Sequence, residues 1–431
     1  MTVEPLSATQ AWRRHWPAVL AASAGVALST APIYAMGVMI LPLEQEFGWA
    51  RAEISFGTTI AGFASMLLTP AIGIAVDRFG PRRIGAAGSV MYCLAIAVLS
   101  RANADIWSWW LLWGGIAITG LFVGPTVWTA AVSRLFTEGR GFALAVTLCG
   151  TGIGSSLTPI LSDYLVNRFG WRGAYVGLAG SWGLLTVPLI LLCFRGGGPD
   201  TAGLTETPSI SLPGFTAREG LRRASFYKIA VAALAICLVV VSFIVNLVPI
   251  LTFTGHNRGT AAAIAAIVGV CSIVGRLTTG HLLDRLDPNR VAGVAVALPI
   301  LSVLLLIALP ASVPAAVIAT MILGLSLGAE LDVVAYLASR HLGMRSFGVL
   351  FGAISGLVSF GVGMGPVLVN YIYDTTRSYY PALWLYIPGC LISSALFLSL
   401  GRFPDFGRVR AADGGTSGDS NMPADVRLSG P

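Results

Sequence analysis

Charged residues are scarce in this 431-residue chain, at 11% of the sequence against roughly 25% in an ordinary soluble domain. Lysine is almost missing: Lys228 is the only one, so there is no glycine-rich phosphate loop with its lysine. Histidine is rare too, and His15, His256, His281 and His341 fall singly at loops or at the ends of apolar runs. Six cysteines, at positions 93, 149, 193, 237, 271 and 390, are scattered without a Cys-x-x-Cys pair or a neighbouring histidine. These gaps argue against kinase, hydrolase and redox enzymes, against a disulfide framework and against a zinc site. No enzymatic activity, metal or cofactor is expected, and the cysteines read as small buried apolar residues.

What the chain does hold is apolar: 55% of its residues are hydrophobic, with 51 Gly and 23 Pro interspersed. Blocks of about twenty apolar residues recur from Trp16 to Leu400, each long enough to cross a bilayer core of ~30 Å. The composition therefore predicts an all-α membrane protein. Twelve spans can be drawn, over 16–41, 54–76, 84–100, 106–132, 141–165, 172–194, 226–251, 260–283, 291–309, 313–338, 347–372 and 382–401. Arg13-Arg14-His15 ahead of the first span resembles a signal peptide, but the apolar stretch runs far beyond a short h-region and reads as an uncleaved span.

The net charge of +7 reports orientation rather than an acidic partner. If the loop from Asp77 to Arg83 is cytoplasmic, 20 of the 27 basic residues are cytoplasmic as well. Six are outside (Arg51, Arg101, Arg168, Arg172, Arg258, Arg377) and Arg276 lies within a span. That is the positive-inside bias. It implies the plasma membrane (the inner membrane in a Gram-negative cell), both termini cytoplasmic, and a lipid bilayer rather than nucleic acid as the partner.

The sequence is duplicated. A shift of 207 residues lays Gly73 on Gly280, Asp77-Arg78 on Asp284-Arg285, and Pro81 with Arg83 on Pro288 with Arg290. Pro42 then falls on Pro249 and Pro159 on Pro366. The expected organisation is an N-terminal six-helix half (1–194), a Gly/Pro/Ser-rich cytoplasmic linker (195–224), a C-terminal six-helix half (225–402) and a disordered tail (403–431). Two parallel six-helix repeats enclosing a site near the bilayer midplane form a transporter architecture.

Gly73-Ile-Ala-Val-Asp77-Arg78-Phe-Gly80-Pro-Arg82-Arg83 closes the second span, with a weaker copy at Gly280 to Arg290. The motif resembles the loop 2–3 signature of the major facilitator superfamily. That resemblance implies the major facilitator fold and a conformational gate at Asp77, Arg78, Asp284 and Arg285; surface charges that only set topology are the plainer alternative. Three further stretches look like the monocarboxylate transporter and oxalate:formate antiporter branch. They are Tyr34 to Arg51; Val132 to Gly141 with Gly150-Thr-Gly152-Ile-Gly154 and Pro159; and Gly275-Arg276 with Gly280. The chain departs from the branch in three places: Ala35-Met36-Gly37-Val38 where some relatives carry a Lys, no Lys in span eleven, and Ser272 in place of an Asp one turn before the Arg. A dianion held by two cations is therefore disfavoured.

Arg276 is the only basic residue well inside a span, eight residues before Asp284 and so ~12 Å from the end of its helix. Burying a charge there costs at least ~2.5 kcal/mol, so the side chain should face a cavity or a partner. Its planar fork suits a substrate carboxylate, as the resemblance implies; a permanent ion pair is the alternative. Glu330 and Asp332 are the only acids as deep, ~200° apart on one helix and so unable to share a face. Either proton coupling or ion pairing to Arg276, Arg285 or Arg340 accounts for them. Tyr34, Trp128, Asn246 and Tyr336, in spans one, four, seven and ten, are candidate cavity groups, because those spans line the central path in the resembled fold; packing or interfacial anchoring is their alternative.

The sequence thus predicts a secondary transporter that moves a small organic monocarboxylate by alternating access with H⁺ symport, working as a monomer. Its site would comprise Arg276, Tyr34, Asn246, Trp128 and Tyr336, with Glu330 or Asp332 carrying the proton. Two alternatives stay open: an exporter of lipophilic drugs or cations by H⁺ antiport, and a transporter-like receptor without net flux.

Overall fold

The computed structural model describes residues 8–133, 135–136, 140–193, 214–343 and 345–404, which are helical nearly throughout. The first three spans are α1 (Ala8–Phe47), α2 (Arg51–Phe79) and α3 (Pro81–Val98). The fourth is α4 (Ile106–Gly120) with α5 (Pro125–Ser133), and the fifth begins in α6 (Arg140–Leu148). It continues into α7 (Gly150–Cys193), which also forms the sixth after a bend at Gly170, where a φ of 68° suits only a residue without a Cβ. The short α8 (Ala217–Arg222) precedes the seventh span, α9 (Ala224–Val245) and α10 (Leu247–Phe253). The remaining spans are α11 (Arg258–Arg285), α12 (Pro288–Ala297) with α13 (Pro299–Ala308), α14 (Val313–Leu342), α15 (Phe347–Thr376) and α16 (Tyr380–Leu398). Twelve membrane crossings result, in two six-helix halves, as the sequence predicts.

The outer surface of the bundle is apolar. Leu94, Leu111, Leu184, Val294 and Val349 are all exposed, which in water would be a large liability and in a bilayer is the stable arrangement. The polar residues Arg276, Glu330, Asn246 and Asn370 are instead buried.

The most extensive contacts between the halves are made by two pairs of helices, α2 with α15 and α7 with α11. Glycine sets their spacing. A Cβ on Gly62 would meet the Ser359 carbonyl at 2.5 Å and Gly363 Cα at 3.0 Å. A Cβ on Gly152 would meet the Gly269 carbonyl at 2.6 Å, and one on Gly269 would collide with the Gly152 carbonyl. These seams are copies of each other, because the shift of 207 residues that duplicates the sequence carries Gly62 onto Gly269 and Gly152 onto Ser359. Further along α11 and α15, Gly280, Gly348 and Gly352 have nothing within 4 Å of an added Cβ. The halves are in close backbone contact on the Arg51 side of the bundle.

The seventh span breaks for a covalent reason. Pro249 has no N–H to give to the carbonyl of Val245, so the helix ends at Asn246 and restarts as α10. Gly37 of α1 packs directly on that Val245 carbonyl.

The end of the segment between the halves is folded. Thr216 caps α8 in a reciprocal pair with Glu219, Phe215 donates its N–H to the Leu342 carbonyl at 3.1 Å, and Gly220 packs on Leu350. The rest of the expected linker, 195–213, and the tail from 405 lie outside the described residues.

Candidate functional site

Glycines again decide where the central charges stand. On α14, Gly324 and Gly328 face α11: a Cβ on Gly324 would meet the Val268 carbonyl at 2.6 Å, and one on Gly328 would meet Arg276 N at 2.7 Å. From the other side, Gly275 of α11 packs on Leu325. Asp332 lies one turn beyond Gly328, so it stands on the face that meets α11. Its Oδ2 is 3.5 Å from Nε of Arg276. Arg276 is 8% exposed, and its Nη1 is buried with no partner among the described residues. The long ion pair leaves the fork of the guanidinium only partly used.

Glu330 points the other way. It is 2% exposed, its Oε1 accepts from the thiol of Cys237 on α9, and its Oε2 is buried without a partner. Among the described residues it has no ion pair. The two acids expected to diverge therefore do so, each to a different neighbouring helix of the C-terminal half. Cys237 carried no signal in the sequence beyond its place in an apolar run.

Tyr34 of α1 lies within electrostatic reach of both Glu330 and Arg276, and Cys149, between α6 and α7, senses Arg276 and Asp332. The charged centre thus belongs to the C-terminal half and is approached by the N-terminal half. Tyr336 is half-buried one turn beyond Asp332. Asn246 is fully buried at the break of the seventh span, its Nδ2 donating to the Ser242 carbonyl at 2.9 Å and its Oδ1 unpartnered.

Trp128 is not brought to this group. Its ring fills the space beside Gly25 and Gly85, its Nε1 donates to the Val123 carbonyl at 2.8 Å, and it belongs to a separate apolar cluster with Ala22, Val26 and Val132. Of the two roles that the sequence leaves open for this indole, cavity group or packing, the structure favours packing, with two glycines beside the ring.

At the ends of the bundle the picture is asymmetric. At the end holding the expected gate, Arg78 and Arg285 are exposed. Asp77 and Asp284 have helical backbones in α2 and α11, and their side chains lie outside the described residues, as does Arg134. At the opposite end, two clamps cross between the halves. The Asp374 carboxylate of α15 accepts from the backbone N–H groups of Arg51 at 3.2 Å and Ala52 at 2.8 Å. The Arg51 guanidinium bonds Glu44 and the Tyr379 hydroxyl, each at 2.9 Å, and Tyr379 donates to Asn370 at 3.2 Å. In the second clamp, Arg258 at the start of α11 donates through Nε to Asp163 at 2.7 Å and through Nη2 to Asn167, both on α7. A cleft lined by Gly37, Thr252, Phe253 and Tyr373 lies between the two arginines. None of these clamp residues was singled out from the sequence as a gate.

Two six-helix halves, closed on each other at one end around a buried arginine and two acids, define a membrane transporter rather than an enzyme. The chain belongs to the Major Facilitator Superfamily, whose pattern it matches over residues 21–366. It is similar to Monocarboxylate transporter 13 of Bos taurus, with 26% identity over 391 residues that cover 90% of this chain and 89% of that one. It is also similar to Monocarboxylate transporter 11 of Homo sapiens, at 26% over 412 residues, 90% of this chain and 82% of that one. Among solved structures it resembles the nucleoside transporter NupG in fold, with a TM-score of 0.72 at 11% identity, over 90% of this chain and 100% of that one.

Proposed function

We propose that the chain is a secondary transporter that carries a small organic monocarboxylate by alternating access, with Arg276 receiving the carboxylate and a proton moving in the same direction. The observation that carries this reading is the unpartnered Nη1 of a buried guanidinium whose Nε is only loosely held by Asp332. A buried donor left unmade costs about 1–3 kcal/mol, so an arriving carboxylate that pairs with it gains more than a contact at the surface would. The relatives named as monocarboxylate transporters support the substrate class.

A single deep cation suits one carboxylate, and co-transport of a proton would keep the net charge moved near zero. Glu330 is the group best placed to carry that proton, being the deep acid without a counter-ion among the described residues. Tyr34, Asn246 and Tyr336 would complete the site, with Asp332 holding Arg276 until the anion arrives. The Arg51 and Arg258 clamps would close the outer end, and the Asp77-Arg78 and Asp284-Arg285 loops the cytoplasmic one.

The test is thermal stability of the purified protein with acetate, pyruvate, lactate, benzoate and lipophilic cations, repeated on Arg276→Gln. Ligand at ~100 times its dissociation constant stabilises the fold by ~2.7 kcal/mol. Stabilisation of the wild type by a monocarboxylate, absent in the variant, is expected. The absence of a counter-ion at Glu330 also suits a cationic substrate. Stabilisation by lipophilic cations alone, abolished by Glu330→Gln and kept in Arg276→Gln, would replace this reading with an exporter.

A further inference from the structure

We propose that Cys237 is a positioning residue for Glu330: its thiol holds one carboxyl oxygen, so that the other is the oxygen that takes up and releases a proton. The inference rests on the reading in which Glu330 carries the proton.

The geometry is specific. The Sγ–H of Cys237 on α9 donates to Oε1 of Glu330 on α14. Both side chains are 2% exposed, so water does not compete for this bond. Oε2 has no partner. The titratable groups that face the carboxyl come from three elements besides its own helix: Cys237 on α9 bonds it, while Tyr34 on α1 and Cys390 on α16 are within electrostatic reach. Arg276 turns its Nε to Asp332, which leaves α14 about 200° around from Glu330. Among the described residues, α12, α13 and α15, which also pack on α14, bring no charged group to Glu330.

The choice of donor matters because a thiol is a weak one. A serine hydroxyl at 237 would donate more strongly and favour the carboxylate form, since a hydrogen bond to the charged form stabilises it. An apolar residue would leave both oxygens free to rotate and neither satisfied. The thiol orients the carboxyl and still allows both protonation states. In the step itself, which requires the transport cycle to open this buried carboxyl to water, a hydronium gives its proton to Oε2. One O–H bond forms there, one breaks in the hydronium, a water leaves and the carboxylate becomes a neutral acid. The Sγ–H bond to Oε1 is kept throughout.

Infrared spectroscopy of the full-length protein in lipid nanodiscs tests this without a known substrate. The thiol S–H stretch lost in Cys237→Ala is expected below the free-thiol position and should move towards it in Glu330→Gln. The protonated-carboxyl band lost in Glu330→Gln should titrate about half to one pH unit lower in Cys237→Ser than in the wild type, and higher in Cys237→Ala. Opposite shifts from two small substitutions are not the signature of a packing defect. One titration midpoint shared by all three proteins, or an S–H band indifferent to Glu330→Gln, overturns the proposal. If the midpoints move as expected but Glu330→Gln still shows proton-driven lactate uptake, the positioning role stands and the assignment of the transport proton to Glu330 falls.

Discussion

Arg51 and Arg258 stand 207 residues apart in the chain and occupy equivalent places, each opening a helix on one side of a seam between the halves. Their partners correspond as well. The same shift carries Asn167, which bonds Arg258, onto Asp374, which caps the helix begun by Arg51. It carries Asp163 onto Asn370. The two copies have exchanged acid and amide between positions, so each clamp keeps one carboxylate on the helix across the seam.

Loss of either carboxylate should loosen that end. Hydrogen bonds to charged groups contribute about 1.5–3 kcal/mol, enough to change a two-state ratio roughly ten- to a hundredfold. For Asp163→Asn and Asp374→Asn, electron-paramagnetic distances between labels on the ends of α2 and α15 should broaden towards longer separations. Distributions identical to wild type in both variants would show that the glycine seams hold this end without the clamps.

Asp332→Asn is expected to tighten anion binding several-fold while slowing turnover. Asp332 is the sole ion partner of Arg276 among the described residues, and at 3.5 Å it would compete with an incoming carboxylate. Titration calorimetry with the monocarboxylate found in the stability screen reads the affinity. Weaker binding in the variant would make Asp332 part of the anion site rather than its competitor.

Gly328→Val should destabilise the protein by about 1–3 kcal/mol through overpacking. Its Cβ would run into the Ser272 carbonyl and the Arg276 amide, both backbone groups that cannot swing aside. The expected readout is a fall in thermal midpoint together with loss of ligand stabilisation, because the same contact sets the distance between Arg276 and Asp332. An unchanged midpoint would mean that α11 and α14 are held apart more loosely than their packing indicates.

Trp128→Ala separates packing from substrate contact. Emptying an enclosed indole site costs about 3–5 kcal/mol, so expression and thermal midpoint should fall. Monocarboxylate affinity of the surviving folded protein should match wild type in a binding titration. A large affinity loss at restored stability, for example in Trp128→Phe, would return this residue to the cavity.

The twelve crossings and the two halves were legible because bilayer thickness and internal duplication are written in the residue order itself. The opposed directions of Glu330 and Asp332 followed from a helical rise of two residues. What they would meet did not, since that depends on which face of α14 carries the glycines that touch α11. The sequence leaves Trp128 between a cavity group and packing, because an aromatic in a span looks the same whether it faces a path or a pair of glycines. The clamps were missed although the repeat that reveals the duplication also aligns Arg51 with Arg258. Read from sequence, Arg51 and Arg258 serve as markers of orientation, with Arg51 also ending a branch-like stretch, and neither shows a partner.

The glycine-lined seams have a kinetic consequence. The surfaces that meet at Gly62, Gly363, Gly152 and Gly269 touch through main-chain atoms and short side chains rather than through long interlocked ones. Parting them strands the Thr58 and Thr59 hydroxyls, which donate to the Gly363 carbonyl, but not the helical backbone groups, which are already bonded within their own helix. Bringing them back requires few long side chains to give up rotamer freedom, which elsewhere costs up to about 2 kcal/mol each. In the proposed cycle the two halves would meet and separate with little repacking, which would leave its pace to the polar groups at the ends and centre.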